Sequence, residues 1–95
     1  MIEILKFTSP TCAPCKMLNK QLENYTKNKL TTVDFTDDPD ELFEKHNVKR
    51  VPTLVVLYNG SPAGKQVGGS MTLDSFTKWV DDIENVVKEY GKVDI

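Results

Sequence analysis

The stretch IEILKFTSPTCAPCK, residues 2–16, constrains the fold more than any other part of the chain. IEILKFT (2–8) is short, apolar and β-branched enough for a strand buried on both faces, apart from Lys6. Pro10 interrupts it. Behind the proline, Cys15, Leu18, Leu22 and Tyr25 recur at intervals of three and four, the spacing of a helix with one apolar face. LTTVDF (30–35) reads as a second strand. Strand, helix and strand in this order predict a right-handed parallel crossover, with two cysteines at the joint between the first two elements.

The remaining elements follow from similar signals. DPDE (38–41) marks a helix start, with Asp38 as N-cap, Pro39 at the first helical position and Glu41 completing a capping box. The short helix, to about His46, carries Leu42 and Phe43 inward. TLVVLYN (53–59) is the strongest strand signal, closed by an Asn59-Gly60 turn that predicts an antiparallel hairpin. A shorter strand, roughly 64–67, ends at Gly68-Gly69. Thr72 caps the last helix, whose apolar stripe comprises Leu73, Phe76, Trp79, Val80, Ile83, Val86, Val87 and Tyr90, with Phe76 and Trp79 assigned to the core. The expected architecture is α/β, in the order β-α-β-α-β-β-α. It is a four-stranded mixed sheet flanked by three helices, forming a single domain over 1–95. A chain of 95 residues suits one core and not two.

Cys12 and Cys15 are the only cysteines, and they admit four readings. Two merely buried thiols would not ordinarily need the helix-start position and the proline. A zinc site wants four nitrogen or sulfur ligands, and the single distant His46 does not complete one, so no metal is expected. A structural clip across so small a loop would remove little unfolded-state entropy. A redox pair uses the position itself. A Cys12 thiolate at a helix start faces unpaired N–H groups and the positive end of the helix dipole, and the ionised sulfur is the nucleophile of thiol–disulfide exchange. Cys15, a turn later on the core side, is less exposed and better placed to attack a mixed disulfide than to start one. Pro14 fits the first turn and limits the ring's shape, and Ala13 keeps the approach open. Lys16 either adds positive potential or is merely solvated. With a net charge of −2, the chain lacks the basic surface of a nucleic-acid binder. Neither a signal peptide nor a membrane span is visible, and a cytoplasmic location is the default expectation, in which a working cysteine pair is more plausible than a stabilising disulfide. His46 reads as a helix C-terminal group, and Asp81, Asp82 and Glu84 as a solvated face.

Three longer stretches carry a resemblance. CAPCK (12–16), KRVPTLVVLYNG (49–60) and KQVGGSMT (65–72) are similar, in sequence and in order, to the motifs of the thioredoxin family, and the likeness extends to about residue 90. It implies a thioredoxin-like fold and reduction of protein disulfides with no bound cofactor, in a protein expected to be monomeric. Cys12 would attack and Cys15 resolve. The resemblance also implies a cis Val51-Pro52 bond with Pro52 beside the cysteines. The Val51 backbone, Thr11 and Ala13 would contact an extended substrate, and Gly68 and Gly69 would keep the opposite wall low. Electrons would come from a thioredoxin reductase or from glutathione, and ribonucleotide reductase is a family-level target.

The departures are informative. The family's usual first strand and helix are not expected, which likens the chain to compact thioredoxins. Thr11 replaces the tryptophan that usually precedes the first cysteine. SPTC and Gly68-Gly69 have a glutaredoxin flavour, but Ser9 stands where glutaredoxins often carry a glutathione-binding lysine. Lys6 stands where thioredoxins usually bury an aspartate, and Thr32 where they place its lysine partner. Burial would depress the Lys6 pKa and make it a base for Cys15, or Asp34 could pair with it, or it could extend its ammonium to water. A glutathione-dependent reductase and a non-catalytic interaction module remain open beside the thioredoxin reading.

Overall fold

The computed structural model describes residues 1–90; the domain expected over 1–95 runs past them. The elements are β1 (Ile2–Thr8), α1 (Ala13–Leu22), β2 (Lys29–Asp34), α2 (Leu42–Lys45), β3 (Thr53–Tyr58), β4 (Ser61–Val67) and α3 (Leu73–Tyr90). The sheet order is β2-β1-β3-β4. β1 pairs parallel with β2 and antiparallel with β3, and β3 pairs antiparallel with β4. This is the expected mixed sheet.

Period-two alternation along β1 divides the core. Ile2 and Ile4 join Leu54, Val56 and Ala63 under Leu18 and Leu22 of α1 and Phe76, Val80 and Val87 of α3. Leu5 and Phe7 join Val33, Val55 and Leu57 on the opposite face, covered by Leu42 and Phe43 of α2. Both faces of the central strands are therefore apolar, which is why IEILKFT and TLVVLY read as nearly continuous hydrophobic runs.

Several boundaries differ from expectation, each for a local reason. Helix α1 ends at Leu22, and Tyr25 lies in the following turn, with its N–H bonded to the Leu22 carbonyl. Its ring stands edge-on to Phe76, so the apolar spacing was real but its last member packs from a loop. Asp38 is not the N-cap of α2. Pro39, Asp40 and Glu41 form a turn, with Glu41 left-handed at the cap position, and the Asp38 carboxylate reaches across to accept the N–H groups of Leu42 and Phe43, each at 2.9 Å. β4 starts at Ser61, earlier than expected, because Pro62 needs no N–H partner on an edge strand. On α3, Phe76, Val80 and Val87 are buried, while Trp79 and Ile83 are half-buried and Val86 and Tyr90 lie exposed.

Helix α2 closes with Asn47 left-handed and the Val48 N–H bonded to the Phe43 carbonyl at 2.8 Å. His46 is the C-cap of α2 as expected, but it is a weaker cation there than an ordinary histidine. Burial first, then Lys45 and Lys65, push its pKa below the ordinary value, and its ring leans on Phe7. Lys65 serves the helix end instead, its ammonium donating to the carbonyls of His46 and Asn47. This closure swings the chain into residues 49–52, one wall of the site below.

Phe76 is fully buried between Tyr25 and Trp79, whereas Val86 on the same helix faces solvent. Phe76→Ala is expected to cost about 3–5 kcal/mol of unfolding free energy, and Val86→Ala less than about 0.5 kcal/mol. Urea titration of both variants checks the contrast.

Candidate active site

Cys12 is the N-cap of α1. Its backbone is extended, with φ −94° and ψ 108°, and its sulfur accepts the Cys15 N–H at 3.2 Å. A side-chain acceptor here satisfies one of the amides that a helix leaves unpaired in its first turn. Pro14 removes another of those donors outright, and no acidic side chain in this turn opposes an anion. Cys12 and Cys15 are joined as a disulfide, with Cα atoms 5.2 Å apart. Cys12 is partly exposed, whereas Cys15 is 1% exposed and shares the buried side of the helix with Leu18 and Leu22. The two sulfurs are therefore unequal in access.

Two further segments close on this turn. Val51-Pro52 is cis, and the Cys12 sulfur lies 3.7 Å from the Val51 carbonyl oxygen. The Gly68 N–H donates to the Pro52 carbonyl at 2.9 Å, tying the glycine loop to the proline. Gly68 has φ +110°, a conformation side chains rarely adopt. Gly69 is glycine for a different reason, since a Cβ there would stand 2.7 Å from the Pro14 carbonyl oxygen. The fold thus brings together Cys12, Pro14, Cys15, Val51, Pro52, Gly68 and Gly69. Thr11 and Ala13 flank Cys12 at the exposed rim, where the Thr11 hydroxyl lies 3.4 Å from that of Ser9. Lys16 is exposed one residue beyond Cys15.

Lys6 is buried at 7% exposure, on the face of β1 that it shares with Ile4 and that packs under α1 and α3. Its strand neighbours are Thr32 and Leu54. The expected alternative partner is not its partner. Asp34 accepts the Thr36 N–H and hydroxyl, which hold its carboxyl below the usual range. Among the described residues no ion pair includes Lys6. Those residues also contain no group of three or more His, Cys, Asp and Glu side chains able to hold a metal ion, and no helix long and apolar enough to cross a membrane.

The sequence reading missed a group beside Val51. Phe35 lies just past β2 and is 66% exposed, and with Phe43, Val48, Lys49, Arg50 and Ser9 it borders a cavity of about 230 Å³. Phe35 follows Val33 at strand spacing, so the pattern gives a core residue, and only the chain's turn at Thr36 leaves it outside.

The model of a family described as Thioredoxin matches residues 2–82. A thioredoxin H-type of Oryza sativa subsp. indica is 32% identical over 94 residues, covering 95% of this chain and 70% of its own. A thioredoxin of Staphylococcus aureus is 31% identical over 72 residues, covering 70% of this chain and 68% of its own. Among solved structures, the N21Q mutant thioredoxin from Halobacterium salinarum NRC-1 superposes with a TM-score of 0.76 at 24% identity, over 86% of this chain and 74% of that one, a likeness of fold.

Desolvation holds the Lys6 ammonium below its ordinary pKa of 10.5. The unfolded chain then binds the proton more tightly, so burial of the charge costs stability below the folded pKa. That cost fades as pH rises through the folded pKa toward 10.5. Lys6→Met is expected to stabilise the protein at pH 7 by about 1 kcal/mol. The gap between variant and wild type should narrow as unfolding is measured at increasing alkaline pH. A gap that stays constant with pH would contradict a buried charge.

Proposed function

This chain belongs to the thioredoxin family and is a thiol–disulfide oxidoreductase, and from that premise we propose that it reduces protein disulfides with Cys12 as nucleophile and Cys15 as resolving thiol. The observation that carries the assignment of roles is the inequality of the sulfurs: Cys12 is partly exposed and capped by an N–H, and Cys15 is buried behind it. The Cys12 thiolate attacks one sulfur of the substrate disulfide and expels the other as a thiolate. Cys15, once deprotonated, attacks the Cys12 sulfur, forms the internal disulfide and releases the second substrate thiolate. The substrate gains two electrons from the protein; of the two protons that its thiolates take up at neutral pH, one derives from Cys15 and the other from solvent.

The cis Val51-Pro52 segment and the low Gly68-Gly69 wall suit an extended substrate chain, with the Val51 backbone as its pairing edge and Thr11 and Ala13 as shallow contacts. Pro14 sets the ring, Pro52 packs the opposite side, and Lys16 adds positive potential from outside. Lys6, as a buried ammonium on the side of the sheet that faces α1, favours the thiolate form of Cys15. The support is its burial on the face of β1 that packs under α1, and a pKa lowered by desolvation without a neutralising carboxylate. The reading extends to one monomeric domain in the cytoplasm, recharged by a thioredoxin reductase, with ribonucleotide reductase as one target. Recharging by glutathione is the second reading, favoured by the adjacent Gly68-Gly69 at the site.

Insulin-disulfide reduction tests the assignment. Cys12→Ser is expected to fall to the rate of buffer, and Cys15→Ser to accumulate a mixed disulfide with the substrate through Cys12. Equal turnover by Cys12→Ser and wild type would refute it. Replacing thioredoxin reductase with glutathione and its reductase identifies the donor. For Lys6, the Lys6→Met variant should raise the pKa of Cys15 in the reduced protein; an unchanged value removes Lys6 from that role.

A further inference from the structure

The cavity beside Val51 has features that disulfide exchange alone does not require. Its apolar part is rigid, because Phe35 stands edge-on to Phe43 with ring centres 5.4 Å apart, and Phe43 stands edge-on to the buried Phe7 at 4.9 Å. The Phe35 N–H is held by the Thr8 carbonyl at 2.9 Å. An aromatic side chain is thus fixed in solvent just past β2, beside the end of β1, the strand that leads into the cysteine turn. Val48 and Val51 complete the floor. The only charged residues of the lining are Lys49 and Arg50, both exposed, and neither pairs with a carboxylate among the described residues. Their loop is fixed, since the Arg50 carbonyl accepts the Thr53 hydroxyl at 2.6 Å. The next residue, Val51, carries the carbonyl 3.7 Å from the Cys12 sulfur.

Resting on the oxidoreductase reading, we propose that Lys49 and Arg50 are specificity-determining residues that favour disulfides carried on acidic segments. The occupant is an extended stretch of a substrate protein. One apolar side chain enters between Phe35 and Val51, and a neighbouring Asp or Glu meets Lys49 and Arg50. The protein's net charge is −2, so its overall field does not draw acidic partners, and selection falls to this local pair. The cavity is continuous with the redox turn through Val51 and Ser9, which places the selecting charges within one short segment of the attacking sulfur.

The test compares kcat/KM for two synthetic peptides with the same internal disulfide and the same leucine, one carrying aspartates beside them and the other lysines. Wild type is expected to prefer the acidic peptide by about ten-fold at low salt, and the preference should shrink as ionic strength rises. The Lys49→Glu/Arg50→Glu variant should reverse the order. The ratio of the two peptides cancels any change in intrinsic reactivity common to both. Reduction of both peptides at equal rates by wild type, or a ratio unchanged in the variant, overturns the proposal alone. Failure of wild type to reduce either peptide overturns the protein-disulfide reading on which it rests.

Discussion

A sulfur at the N-cap of a helix is the constraint from which the rest of this site follows. Strand β1 has to end and α1 has to begin within a few residues, and the helix opens with amides that lack intrahelical partners. Cys12 fills that role with its side chain. A hydroxyl or carboxylate in the same place would cap as well, but only a thiol could also serve as the nucleophile of disulfide exchange. In the proposed mechanism the interaction that helps start the helix also favours the ionised sulfur, so local stability and reactivity would share one contact.

The other walls serve that turn. Gly69 lets the loop after β4 lie against Pro14, and Gly68 ties the loop to Pro52 by one backbone bond. The closure of α2 delivers Lys49–Pro52 to the opposite side. The buried side of the turn is less conventional. A lysine lies inside the sheet's helix-covered face, with desolvation as the cause of its shifted pKa. Such a residue costs stability when charged, which is the kind of local conflict that marks functional positions.

Much of the fold was legible because its strongest signals are redundant. The buried strands announce themselves by apolar runs, α3 by its stripe, and the hairpin by Asn59-Gly60, whose two residues do adopt positive φ. The cysteine turn was legible for the same reason, since proline, spacing and strand-to-helix change all coincide there. What was not legible depends on contacts across the chain. Asp38 does cap α2, but from four residues upstream, because Pro39 to Glu41 turn before the helix begins. Asp34 shares strand parity with Lys6 but spends its carboxylate on Thr36. Phe35 follows the spacing of a core residue, and its exposure is set by where β2 ends, which periodicity does not locate to the residue.

The central claim is that Cys12 is held as an anion by the start of α1. The most direct measurement is its pKa in the reduced protein, read from the pH dependence of alkylation by iodoacetamide with mass-spectrometric assignment of the labelled residue. The account predicts a value at or below about 7.5, with Cys12 labelled well before Cys15. A pKa at or above the ordinary cysteine value of about 8.5, or labelling of Cys15 first, would contradict it.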